Sequence, residues 1–162
     1  MFASSRYPLL LFLAVGLAAP AQARLGETLS DLTKRYAKPI TQTAKDNASW
    51  LFEVTDGPLL YSVTFGANGR SMAEGLKPLR RAEFSKKTAM DFIESQLVSY
   101  RDSTTQRIVP HGEKYRFAGR DFTCGPQDYV VLDEPRGILV VWTQGVEPAV
   151  MVVSPEMFQR AN

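Results

Sequence analysis

The chain of 162 residues predicts an α+β fold, an antiparallel sheet with two main helices packed on one face, because strands follow one another without helical crossovers. Three observations carry this. Two stretches show helical apolar spacing, Leu25–Leu29–Leu32–Tyr36 and Ala89–Ile93–Leu97–Tyr100. Between and after them lie runs that alternate or are rich in β-branched and aromatic residues, bounded by Gly, Pro and Asp. The order helix-then-strands occurs twice, which suggests two helix-plus-three-strand half-repeats, 24–79 and 80–162, within a single domain spanning 24–162.

The first helix is expected over 28–37, where Thr28 and Asp31 form a capping pair and Pro39 stops the run. Thr41–Ala48 reads as a polar connection. Trp50–Val54 then reads as a strand ended by Asp56-Gly57-Pro58, and Leu59, Tyr61, Val63 and Phe65 alternate with smaller or more polar residues as a half-buried strand does. Ala67-Asn68-Gly69 supplies a hairpin turn into a strand over Arg70–Lys77. Ser85 caps a second helix expected over Lys86–Ser99. Asp102–Gly112 reads as a surface loop. Strands are expected at Lys114–Phe122, Tyr129–Leu132, Ile138–Thr143 and Ala149–Val153, and Ser154-Pro155-Glu156 begins a short terminal helix.

Ahead of all this, Arg6 precedes the apolar run Leu9–Ala19, and Ala21-Gln22-Ala23 places small residues where a signal peptidase cuts. The run is about half the roughly 20 residues that a membrane-spanning helix needs. Residues 1–23 are therefore expected to be a signal peptide cleaved near Ala23, leaving an exported chain, periplasmic or extracellular, with no transmembrane helix in its mature part.

Lys and Arg total 19 against 17 Asp and Glu. Such balance lacks the strongly basic face of a nucleic-acid binder, so no nucleic-acid partner is expected. Cys124 is the one cysteine and His111 the one histidine. A lone cysteine closes no internal disulfide, and one histidine leaves little for a metal site or a nucleophile–histidine pair. No metal and no cofactor are expected. Gly66-Ala67-Asn68-Gly69 is turn chemistry, without the strand-to-helix setting of a phosphate loop.

The start of the predicted mature chain, Leu25-Gly26-Glu27-Thr28 with Leu32, Arg35-Tyr36 and Lys38-Pro39, resembles a group of uncharacterised exported bacterial proteins that open on Gly-Glu-Thr and end their first helix with Arg-Tyr-Gly-x-Pro. Ala37 stands where that pattern has Gly. More distantly it resembles the small outer-membrane lipoproteins of the barrel-assembly machinery (SmpA/OmlA type), although the lipid-bearing cysteine of that family is absent. The resemblance implies export and a helix followed by a meander, and no catalytic residue.

Two features stand out as candidate binding chemistry. Lys77, Arg80, Arg81, Lys86 and Lys87 cluster against Glu83 alone, and Lys86 and Lys87 fall in the first turn of the second helix, where the macrodipole disfavours cations. An acidic partner, an anion or a peripheral contact with anionic lipid would suit them. Ile138-Leu139-Val140-Val141-Trp142 and Val150–Val153 are apolar on both faces. Both faces must therefore be covered, by the helices and a terminal segment or by a partner, a second copy included. The sequence thus reads as an exported, non-catalytic binding module using Lys77, Arg80, Arg81, Lys86, Lys87 and Trp142. Two alternatives stay open. One is an enzyme built on Cys124 and His111; the other is a carrier holding a small apolar ligand near Trp50, Tyr61 and Trp142.

Overall fold

In a computed structural model of the chain, the residues described are 25–43, 46–54, 57–79, 84–97 and 105–159. The segment expected to be a signal peptide, residues 1–23, and Arg80 and Arg81 lie outside them.

The first helix, α1 (Leu29–Tyr36), opens on a reciprocal capping box: Thr28 Oγ1 accepts from the Asp31 N–H at 3.2 Å, and Asp31 accepts from the Thr28 N–H. It ends at Ala37 with φ of 63°. Pro39 forbids further helix, so the chain reverses through a left-handed residue that carries a Cβ. Four strands follow as a meander, β1 (Thr41–Thr43), β2 (Asn47–Val54), β3 (Gly57–Phe65) and β4 (Ser71–Pro78). Gly69, with φ of 72°, closes the β3–β4 turn as the Asn-Gly pair requires. Then come α2 (Lys86–Gln96), capped by Ser85, and β5 (Gln106–Val109). The chain continues with a hairpin of β6 (Lys114–Phe117) and β7 (Arg120–Thr123), three longer strands β8 (Asp128–Asp133), β9 (Ile138–Thr143) and β10 (Ala149–Val153), and the short α3 (Glu156–Gln159).

Eight strands form one antiparallel sheet in the order β1-β2-β3-β4-β10-β9-β8-β5, and β6-β7 stands as a separate pair. The two meanders meet through their last strands, with Val150 opposite Leu76 and Val152 opposite Glu74.

The expectation of an α+β fold with two main helices on one face is overturned. Strands take 49% of the described residues and helices 19%, in three short helices. Each half supplies four strands to the sheet rather than three, and the second half adds a hairpin. The differences have physical causes. β1 is exposed at all three positions and β5 at its two central ones, so neither edge strand carries the apolar alternation of a half-buried strand. The sequence places β1 in a connection and β5 in a loop. Lys114–Phe122, expected as one strand, folds back at Ala118 and Gly119, with φ of 50° and 77°. The described part of the second helix stops at Gln96, because Leu97 is extended.

The apolar residues divide by sheet face. One cluster joins Trp50, Tyr61, Val63, Leu76, Val140, Trp142, Val150 and Val152 to Leu32 of α1 and Ala89, Phe92 and Ile93 of α2. The other joins Val130, Leu132, Leu139 and Val153 to Tyr115 and Phe117 of the hairpin, with Phe122 and Phe158 against them. The two-faced apolarity of β8–β10 therefore has an internal answer. The hairpin, aided by Phe158 of α3 at 5.6 Å from the Phe122 ring, covers the face away from α2.

Candidate functional site

At the end of the sheet where β4 finishes and β9 turns into β10, an open cleft of about 1110 Å3 is bounded by Lys77, Leu79, Phe84, Lys86, Trp142 and Val146, with Ser85 and Glu147 also on its wall. Four segments build it. β4 brings Lys77 and Pro78. The start of α2 brings Phe84, Ser85 and Lys86. Trp142 comes from the last turn of sheet pairing in β9, and Gln144–Pro148 from the β9–β10 connection. Leu79 and Val146 are large apolar residues left exposed at the edge of this cleft, Val146 completely so.

Ser85 Oγ accepts from the Thr88 N–H at 3.1 Å, and Ser85 C=O from the Ala89 N–H. The backbone N–H groups of Lys86 and Lys87 keep no acceptor within the helix, as first-turn groups do not. The first turn holds no acidic residue. Lys87 reaches along the helix to Asp91 at 2.6 Å, which raises its pKa through that hydrogen bond. Lys77 and Lys86 make no ion pair among the described residues. The positive end of the α2 dipole and two lysines unpaired among the described residues thus border one concavity, with Glu147 as the opposing carboxylate.

Trp142 is 5% exposed and shares a cluster with Ile93 and Val140, on the face of the sheet that carries α2. Its ring lies edge-on to Tyr129 at 6.2 Å. Among the described residues its indole N–H has no hydrogen-bond partner. A buried donor in that condition costs about 1–3 kcal/mol. The other indole is satisfied, since Trp50 Nε1 donates to Ala37 C=O at 3.0 Å.

Of the residues singled out by sequence, Lys77, Lys86 and Trp142 therefore converge on one cleft. Lys87 is turned to Asp91, and Arg80 and Arg81 lie outside the described residues. Sequence reasoning missed Phe84 as a wall and the whole β9–β10 connection. The signal for the latter was Val146, an apolar residue among Gly145, Glu147 and Pro148 in a turn.

Trp50, Tyr61 and Trp142, grouped as the surroundings of an apolar ligand, sit on one row of the sheet, Trp142–Val150–Leu76–Tyr61–Trp50, running across five strands. At roughly 4.8 Å per strand the backbones of the two tryptophans stand about 19 Å apart. Tyr36 of α1 packs against both Trp50 and Tyr61, with centroids at 6.2 Å and 5.6 Å, so rings fill that end.

Cys124 is 2% exposed, and its Sγ lies 4.0 Å from His111 Nδ1. Burial pushes the thiol pKa up, with Asp128 and Glu113 adding to it. His111 Nδ1 stands 2.8 Å from the Gly125 carbonyl oxygen. A carbonyl only accepts, so this nitrogen carries the hydrogen and donates it there, and it offers Cys124 no lone pair. The pair has the opposite of what an activated nucleophile requires. Among the described residues, no group of three or more His, Cys, Asp or Glu side chains is arranged to hold a metal ion. No helix among them is long and apolar enough to cross a membrane.

Behind the opposite end of the sheet lies a buried polar cluster. Glu74, 1% exposed, accepts from Tyr61 Oη at 2.7 Å, Ser71 Oγ at 2.8 Å and Gln96 Nε2 at 2.8 Å. Gln96 Oε1 in turn accepts from the Leu25 N–H, and Ser71 Oγ from the Gly26 N–H. Desolvation holds the Glu74 carboxyl above its ordinary pKa, the three donors notwithstanding. The cluster ties the start of the described chain to β4 and α2, beside a second cleft of about 740 Å3 edged by Arg70 and Arg136. Both arginines are engaged there, Arg70 with Gly26 C=O and Arg136 with Gln96 C=O.

No family model matches the sequence, and no curated protein matches it. Among solved structures the chain is similar to a cysteine-rich secretory protein of Staphylococcus aureus, with 9% identity and a TM-score of 0.44 over 83% of this chain. The chain spans 46% of that protein. A likeness of that size carries neither fold nor function across.

Proposed function

We propose that this chain is an exported, non-catalytic binding module that docks on an acidic protein partner through the cleft at the start of α2. One observation carries the reading: Lys77 and Lys86, neither of them ion-paired among the described residues, border the same cleft as buried Trp142. Ion pairing elsewhere among the described residues is local, as with Lys87 and Asp91 or Arg107 and Glu113, so two lysines at one concavity that are unpaired among the described residues favour an anion from outside. Leu79 and Val146 add apolar area at the rim that a partner would cover. The leader-like start and the Gly26-Glu27-Thr28 likeness to exported proteins support the compartment.

The test is calorimetric titration of the purified chain with a blocked peptide of alternating Leu and Glu, at low and high salt. Binding that weakens with salt and falls at least about tenfold in a Lys77→Glu/Lys86→Glu variant supports the reading. Binding unchanged by that double reversal overturns it. Intact mass of the chain recovered from an exporting bacterium checks the compartment separately: a start at or near Arg24 is expected, and an uncut amino terminus refutes export.

A further inference from the structure

We propose that the uncovered side of β2–β4 is a self-association surface, and that its occupant is the same side of a second copy of this chain. The inference stands apart from the docking reading, because Glu53, on which it turns, lies outside the cleft wall. Cover on the sheet is uneven. On the side away from α2, β8–β10 bury Val130, Leu132, Leu139 and Val153 beneath the β6–β7 hairpin. The same side continues across β2–β4 as alternate residues of 47–53, 58–64 and 73–77, and each of these is half-buried or exposed. The hairpin's cluster reaches only Ala73 among them.

Apolar side chains centre this side. Leu51, 38% exposed, lies opposite Leu60, and Met151, 51% exposed, leans over Gly75, where an added Cβ would stand 3.6 Å from its Cγ. The polar side chains between them are spent on one another: the Ser49 and Ser62 hydroxyls are 3.2 Å apart, and Thr64 Oγ1 donates to Asn47 Oδ1 at 2.8 Å. Groups already paired within the sheet lose little when water leaves, so this side dries at low cost.

Charge selects the occupant. The charged residues on this side of β2–β4 are Glu53 and Lys77, and neither is ion-paired among the described residues. Glu53 lies opposite Pro58 and Lys77 opposite Leu60, on the two flanks of β3. Two strand spacings and two residues of rise therefore set them about 12 Å apart. A twofold axis running between two such faces and passing over β3 brings Glu53 of each copy against Lys77 of the other, with Leu60 near the axis. A partner of one charge would answer one of the two residues and oppose the other. A second copy answers both.

The measurement is sedimentation velocity of the purified chain from micromolar to submillimolar concentration. A concentration-dependent dimer is expected, weakened by salt. Glu53→Lys and Lys77→Glu each set like charges together at two places in the dimer, and each should raise its dissociation constant about tenfold or more. The exchange Glu53→Lys/Lys77→Glu restores both pairs and should return the constant to within a few-fold of the parent. Both residues are exposed, so the variants keep the fold, and recovery in the exchange separates pairing from a general effect of charge. A monomer at every concentration overturns the proposal and leaves this side to solvent or to a different protein. A dimer indifferent to Glu53→Lys places the contact elsewhere and overturns it as well. Single reversals that weaken the dimer without recovery in the exchange overturn the twofold pairing of Glu53 with Lys77.

Discussion

Tyr61 Oη donates to Glu74 Oε2 at 2.7 Å from one strand to the next, in a row that is otherwise valine: Val63, Glu74, Val152, Val140 and Val131 lie side by side across the sheet. A carboxyl in that row loses its water and gains three donors, and desolvation wins, so its pKa rises. The phenol beside it is raised too, by burial first and by Glu74 next.

The sign of the resulting pH dependence is fixed. A carboxyl whose folded pKa exceeds its unfolded value binds protons more tightly in the folded chain. Its contribution to stability is fully present below the ordinary glutamate range and is lost as pH rises through the raised folded value. Unfolding free energy from denaturant titrations should therefore fall across that window. Glu74→Gln should flatten the slope and be the more stable form at neutral pH. Tyr61→Phe should cost about 1–3 kcal/mol by removing a donor from a buried acceptor. A Glu74→Gln variant with the parental pH slope would contradict this account.

Ala37 ends α1 with φ of 63° and ψ of −166°. That region is used almost only by glycine, and holding another residue there costs about 1–3 kcal/mol. Ala37→Gly should relieve more strain than the roughly 0.5–1 kcal/mol of extra chain entropy it introduces. The expected gain is about 1 kcal/mol, read as a higher denaturation midpoint at unchanged slope. The Trp50 Nε1 bond to the Ala37 carbonyl uses only the backbone and should survive the change.

How far the sequence disclosed this fold depended on burial. β9 and β10 have the limits their apolar runs indicate, and β3 keeps its two-residue alternation. β1 and β5 were hidden because edge strands expose residues that interior strands would bury. The turn at Ala118-Gly119 was hidden because Lys114, Arg116, Tyr115 and Phe117 alternate up to it and a single glycine marks it. Glu74 was legible in principle: it stands at period two with Leu76, and an acid on an apolar strand face is buried or at an edge. At the cleft, composition disclosed Lys77, Lys86 and Trp142. It did not disclose that only a three-dimensional meeting of β4, α2 and β9 puts them around one space.

Cys124 should prove dispensable. Its thiol is buried and its pKa raised, and His111 spends its near nitrogen on Gly125. Cys124→Ser should bind the acidic peptide within a few-fold of the parent, whereas loss of a true covalent nucleophile removes activity by orders of magnitude. In the unaltered chain, labelling by a thiol-specific reagent should be slow until denaturant is added. Rapid labelling of the folded chain would show that the thiol is accessible and ionised, against the geometry.

Lys86 and Lys87 are neighbours in the first turn of α2 with opposite circumstances, and charge reversal of each alone separates them. Lys86 is unpaired among the described residues and lies against the positive end of the helix dipole, so Lys86→Glu should stabilise the domain by about 0.3–1 kcal/mol. Lys87 bonds Asp91 at 2.6 Å one turn on. Lys87→Glu gains the same dipole term but loses that pair and sets two carboxylates at i and i+4, so its net gain should be smaller than that of Lys86→Glu. Binding should sort the two the same way. Lys86→Glu removes a cation from the cleft and should weaken the acidic peptide's association and reduce its salt dependence, while Lys87→Glu, outside the cleft wall, should change both far less. Thermal melts and titrations on the two single variants check both statements. Equal loss of binding in the two would mean that diffuse positive charge, rather than the cleft at Lys86, attracts the partner.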